Sequence, residues 1–189
     1  MGDWSLHYES WMIGDGEPHR AHGEVFNWFA VEFWSEERLA KTPRSTRSAV
    51  LGQDYRYCVT AEVIFLVKNK SAVINFGLLA IGNINDLPPD ICVGEFVTGE
   101  IGIGLPLCIE PVPDKLILKM GRQWQVEGLS ADLTPRTHGI RDSARIAYKE
   151  VISTQETKAL DYVLHCKELG PSTEPYPVSP LPTMRPEGQ

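Results

Sequence analysis

From Tyr55 to Val67 apolar and polar positions alternate. Tyr55, Tyr57, Val59, Ala61, Val63, Phe65 and Val67 take every second place, with Arg56, Thr60 and Glu62 between them. A strand points successive side chains to opposite faces, so this spacing predicts a long strand with one buried face. Near its end Ile64 and Leu66 make the other face apolar too, which predicts cover on both sides. The polar turn Lys68-Asn69-Lys70-Ser71 leads to a second apolar run, Ala72 to Ile81, so a β-hairpin is expected here.

The same reading extends along the chain. Trp4 to Ile13 is strand-like, with Trp4, Leu6 and Tyr8 on one face, and Gly14-Asp15-Gly16-Glu17-Pro18 is a turn. Glu24 to Trp34 is dense in aromatic residues on both faces and predicts a central strand. Ser35 to Lys41 predicts the one short helix: Ser35 suits its N-cap, Glu36 and Glu37 suit its positive end, and Pro43 stops it. Residues 83–90 form a loop. Ile91 to Ile109 is apolar but broken by Gly94, Gly99, Gly102 and Gly104, a pattern of bends that fits barrel closure. Lys115–Met120 and Gln123–Val126 around Gly121-Arg122 predict a tight hairpin, and residues 128–143 are polar and irregular.

Arg145–Ser153 and Ala159–Leu169 predict a last hairpin, with a phase slip at Lys149-Glu150 that signals a bulge. From Gly170 the composition changes: six of the 14 prolines lie in the last 20 residues, which predicts a disordered Pro-rich tail over 170–189. The expected fold is therefore all-β: a single antiparallel β-barrel or β-sandwich of about 8–10 strands, spanning roughly residues 3–169, with one short helix.

Composition narrows the function classes. At 189 residues the chain suffices for one domain with its own core. The net charge of -7 argues against nucleic acid, which needs clustered Lys and Arg. The one basic cluster, Arg38, Lys41, Arg44 and Arg47, follows Glu36 and Glu37 and reads as a solvated loop. Cys58, Cys92, Cys108 and Cys166 form no Cys-x-x-Cys pair and no disulfide framework. Without a secretory signal or an apolar run of membrane-spanning length, the chain is expected in the cytoplasm and away from membranes.

Candidate chemistry is sparse. The densest polar constellation runs from Asp15 through Glu17, His19 and His22 to Glu24, where imidazoles and carboxylates suit a divalent metal such as zinc. Neither His-Glu-x-x-His nor His-x-x-Glu-His accompanies it. The glycines Gly99, Gly102 and Gly104 are not a phosphate loop, because Pro106, Pro111 and Pro113 prevent the helix such a loop opens. His138 lies near Asp142 and Ser143, and Glu95 and Glu100 are a second pair, of carboxylates. Trp4, Tyr8 and Trp11 are the expected contact surface, whereas Trp28 and Trp34 are expected in the core. In the tail, Pro177-Val-Ser-Pro180-Leu-Pro182 has the composition of an extended docking segment or a solubilising end.

These residues favour a non-enzymatic binding or protein-interaction module with another protein as partner. Two alternatives stand beside it: a metal-binding protein or metal-dependent hydrolase built on His19 and His22, and a carrier of a small apolar ligand inside a barrel. The sequence sets no oligomeric state.

Overall fold

A computed structural model describes residues 2–67, 70–106, 112–138, 140–142 and 144–173. The elements run β1 (Asp3–Glu9), α1 (Ser10–Gly14), β2 (Val25–Trp28), β3 (Glu32–Trp34), β4 (Ala40–Thr42), β5 (Ser48–Leu51), β6 (Tyr57–Val67), β7 (Ser71–Asn75) and β8 (Leu79–Asn83). They continue with β9 (Phe96–Gly104), α2 (Asp114–Met120), β10 (Arg122–Asp132), β11 (Arg136–Thr137), β12 (Ile140–Arg141), β13 (Tyr148–Val151) and β14 (Asp161–Pro171). Short turns of 3-10 helix cover 53–55 and 84–86.

The expected all-β class holds, and the architecture is a barrel with a wing. Strands β6, β7, β8, β3 and β9 pair in succession, and β9 pairs back to β6, which closes a five-stranded ring. Outside it the sheet continues from β9 through β1, β14 and β10. The far edge of β10 is shared by β2 and β13. Pairing is antiparallel except at two single contacts, β1 to β9 and β3 to β8.

The alternation on β6 reads as expected. Tyr57, Val59, Ala61 and Val63 are buried, and they meet Ala72, Ile74, Val97, Ile101, Ile103 and Phe33 in one core that runs on into the wing. A bulge falls between Val63 and Phe65. The apolar outer face near the end of β6 is covered too: Ile64, Phe65, Val73 and Ile81 pack with Leu116, Ile117 and Met120 of α2.

That cover corrects the hairpin expected at 115–126. Leu116, Ile117 and Met120 follow the helical spacing i, i+1, i+4, and α2 lays them on the barrel. The helix expected at Ser35–Lys41 does not form. The Ser35 hydroxyl lies between the carbonyls of Glu37, at 2.5 Å, and Glu100, at 2.7 Å, with its one proton for either, instead of capping, and Ala40–Thr42 joins β9 as β4. The aromatic run 24–34 is two strands on different partners, since β2 pairs β10 while β3 pairs β8 and β9. The last two arms are not neighbours: β10 lies between β13 and β14 and pairs both. β14 reaches Pro171, two residues past the expected domain end, where it still pairs with Arg122. The tail segment Pro177–Pro182 lies outside the described residues.

Candidate functional site

Strand alternation and two glycines create a hollow where the wing leaves the ring. On β1, Leu6 and Tyr8 are fully buried, so His7 and Glu9 face the other way. On β3, Phe33 is buried and Glu32 and Trp34 take the opposite face. β9 runs between them, with Gly104 in register with both His7 and Glu32, and Gly102 with Trp34. A Cβ on Gly102 would stand 2.4 Å from Trp34 Cε2, and one on Gly104 3.2 Å from Trp34 Cζ3. The Trp34 indole therefore lies against bare backbone, with the His7 ring edge-on to it at 5.2 Å.

Two cavities adjoin this indole and share His7, Glu9 and Trp34. The smaller, of about 150 Å³, is completed by Trp11 and Met12 of α1, by Glu32 and by Leu105. The larger, of about 250 Å³, is completed by Glu36, Asp54, Arg56, Asp132, Arg136, Arg141 and Asp161.

The larger cavity has a cross-linked wall. Arg141 donates Nη1 and Nη2 to the Asp54 carboxylate, Nε to Asp132 Oδ2 at 2.9 Å, and Nη2 also to the Tyr148 hydroxyl at 2.7 Å. Tyr148 in turn donates to Asp54 Oδ1 at 2.5 Å. Burial alone would raise the Asp54 carboxyl, but the hydrogen bonds from Arg141 and Tyr148 outweigh it and hold Asp54 below the usual range. Arg136 pairs with Asp161, and Arg56 with Glu36 at 2.9 Å and Glu100 at 3.3 Å. Asp54 and Tyr55 both sit in the left-handed region, at φ 56 and 55. Two consecutive side-chain-bearing residues there are strained, and the Arg141 clamp is what over-determines the turn.

Behind that wall His165 bridges two hydroxyls: Ser5 Oγ lies 3.1 Å from Nδ1 and Ser130 Oγ 3.0 Å from Nε2. The Tyr55 hydroxyl lies 3.2 Å from Ser130 Oγ. Ser130 is buried, so this Ser-His contact braces the sheet and offers no nucleophile.

The smaller cavity is the opposite case. Glu9 and Glu32 have no hydrogen-bond or ion-pair partner among the described residues, and His7 Nε2 is shielded from solvent without a partner. Burial, then the nearby Glu9, pushes the Glu32 carboxyl up to about 7. Burial and Asp161 raise Glu9, against a smaller opposing pull from Arg136. Burial lowers His7 to about 4, so it is neutral near pH 7 despite Asp54.

The residues singled out from sequence are mostly elsewhere. Of Trp4, Tyr8 and Trp11, Trp11 lines the smaller cavity. Tyr8 is fully buried with its hydroxyl donating to Pro18 O at 2.8 Å, and Trp4 packs on Tyr57 and Phe76. His19 and His22 are exposed, and His19 Nδ1 lies 3.0 Å from Thr154 Oγ1. Asp15 and Glu17 do not join them: among the described residues no three His, Cys, Asp or Glu converge to hold a metal ion. The residue that anchors this loop is Arg20, buried over the Phe26 ring at 4.2 Å and paired with Glu24 at 2.5 Å. Glu95 binds Lys41 and Glu100 binds Arg56, so those carboxylates do not act together. His138 is exposed and Asp142 is engaged by Arg145 at 3.6 Å, while Ser143 lies outside the described residues.

Glu9 and Glu32 escaped notice because a lone carboxylate in a strand ordinarily marks its wet face. The usable signal was Glu32 between Val31 and Phe33, with no cation near in sequence. Trp34, expected in the core, is instead the half-buried partition between the cavities.

Ring, wing and cleft together define a class: a closed five-stranded barrel whose sheet extends into a second layer, with a polar cleft at their junction. Comparison with models of known families, with curated proteins and with solved structures found no match.

Proposed function

We propose that this protein is a non-enzymatic binding module that takes a small polar ligand into the cleft between β1 and β3. The observation that carries the reading is the juxtaposition of unpartnered Glu9, Glu32 and His7 Nε2 in one cavity, beside a wall whose charges are already paired. Of these groups His7 Nε2 is shut off from solvent, Glu32 is half-buried and Glu9 is exposed, and polar groups left unpaired in a concave site favour a ligand that pairs them. Val59, Ala61, Val63, Ile74, Ile101 and Ile103 pack together inside the ring, which favours a site outside it over an apolar cargo within. The thiols of Cys58, Cys92 and Cys166 are free, which suits a reducing compartment such as the cytoplasm.

The test is native mass spectrometry of the full chain after exposure to the small-molecule fraction of a cell lysate, beside Trp11→Ala. Trp11 is half exposed, so its truncation leaves the fold intact. A small molecule retained by the wild type and lost from Trp11→Ala supports the reading. Retention of none, or equal retention by both, refutes it.

A further inference from the structure

Resting on that reading, we infer that the ligand of the smaller cavity is an organic cation carrying a primary ammonium group. Four features of the cavity argue for it. Neither Lys nor Arg lines it, while two carboxylates do, and both lack a partner among the described residues. The half-buried Glu32 carboxylate lacks a counter-charge, Glu9 stands exposed beside it, and an ammonium group supplies the charge together with three N–H donors. Trp11 and Trp34 line it with indoles, the strongest of the aromatic partners for a cation, and Met12 and Leu105 give an apolar seat for a methylene stem. His7 lines the cavity, is neutral near pH 7, and its shielded Nε2 has no partner among the described residues.

Geometry selects an organic cation over an inorganic one. Among the described residues no three His, Cys, Asp or Glu come close enough together to ligate a metal, so Glu9, Glu32 and His7 are spread around the cavity. Charge-assisted N–H···O bonds run to about 2.7–2.9 Å, against about 2.0–2.2 Å for zinc ligands, so acceptors set too wide for a metal suit an ammonium group better. A volume of about 150 Å³ admits a short alkyl ammonium. An anion fits the neighbouring cavity no better, because Arg56, Arg136 and Arg141 are each already bound to carboxylates.

The test uses three molecules of one shape and different charge: putrescine, 1,4-butanediol and succinate. Each is titrated into the full chain at pH 8 by calorimetry and by tryptophan fluorescence, with Glu32→Gln and Trp11→Ala alongside and the unfolding temperature of each variant checked. The expected result is saturable binding of putrescine alone, weakened about tenfold or more in Glu32→Gln, where one buried charge pair is lost. A folded Glu32→Gln that binds putrescine as the wild type does overturns the inference, as does failure of putrescine to bind. Binding of succinate or the diol instead, lost in Trp11→Ala, overturns the cationic class and leaves the binding reading standing. The lysate experiment decides that reading independently.

Discussion

Glu32→Gln should make the protein's stability less sensitive to alkaline pH. The Glu32 carboxyl is held at about 7 in the folded chain, against an ordinary 4.5. Between those values the folded state binds more protons than the unfolded chain, so stability falls as pH rises through the window. At about 1.4 kcal/mol per tenfold change in proton affinity, the contribution lost between pH 4 and pH 8 is about 3 kcal/mol. Glutamine keeps the shape and does not titrate. His7 and Glu9 on β1 add slopes of their own, and the charges of Asp161 and Arg136 face Glu9 across the cleft. They are common to both proteins, so the quantity to read is the difference between wild type and variant. Urea unfolding followed by tryptophan fluorescence, at half-unit steps from pH 4 to 8, gives it by linear extrapolation. The difference should move by about 3 kcal/mol in favour of the variant as pH rises, steepest midway between the two values and flattening through pH 7. A difference that stays flat to within extrapolation error would mean that folding does not desolvate Glu32, and the account of the cavity would fall with it.

His7→Gln should show the reverse slope. His7 is lowered from 6.5 to about 4, so its contribution is present above pH 6.5 and is lost as pH falls toward 4, by about 3 kcal/mol measured in the same urea series. Gly102→Ala should cost about 1–3 kcal/mol and shift the tryptophan emission, because its Cβ would meet the Trp34 ring at 2.4 Å; an unchanged spectrum and melting temperature would contradict the seat described for Trp34. Arg141→Met should cost about 3–5 kcal/mol in thermal or urea unfolding, since it strands Asp54 and the nearly inaccessible Asp132 side chain without their main partner. In the native protein iodoacetamide should label Cys58 and Cys92, which are exposed, and spare Cys166, which is buried and whose thiol burial pushes up; peptide mass spectrometry reads the pattern.

How much of this was legible in the sequence differs by element. β6 was, because its alternation depends only on local period and on having one buried face. Cover on its second face was legible from Ile64, but the bulge after Val63 turns Leu66 to the main core and Phe65 and Val67 to the covered face, and neither that shift nor the covering element was legible. Leu116, Ile117 and Met120 satisfy a short strand or a short helix about equally well, and only the barrel surface they meet decides. The pairing of β10 between β13 and β14 was hidden because hairpin reasoning assumes that neighbours in sequence are neighbours in space. Gly102 and Gly104 were visible as a spacing and read as bends. Their role depends on Trp34, which lies far away in sequence and shares their face only after β3 pairs β9. The candidate site was least legible, since Glu9 and Glu32 look like ordinary surface carboxylates until the fold places them in one concavity.

The position of the cleft follows from how the sheet leaves the ring. A five-stranded ring with apolar side chains packed together inside favours a site outside it. β1 touches β9 at one register pair, His7 with Gly104, reinforced by the Leu105 N–H donating to His7 O at 3.0 Å. Strands joined at a single point diverge on both sides of it, and the two cavities open there, separated by Trp34. The larger side is closed by a network in which each arginine already has its carboxylate. The smaller side takes the exposed Glu9 from the wing and the half-buried Glu32 from the ring, and neither has a hydrogen-bond or ion-pair partner among the described residues. A cation bound between them would therefore do two things at once: relieve both carboxylates and tie wing to ring across their narrowest junction.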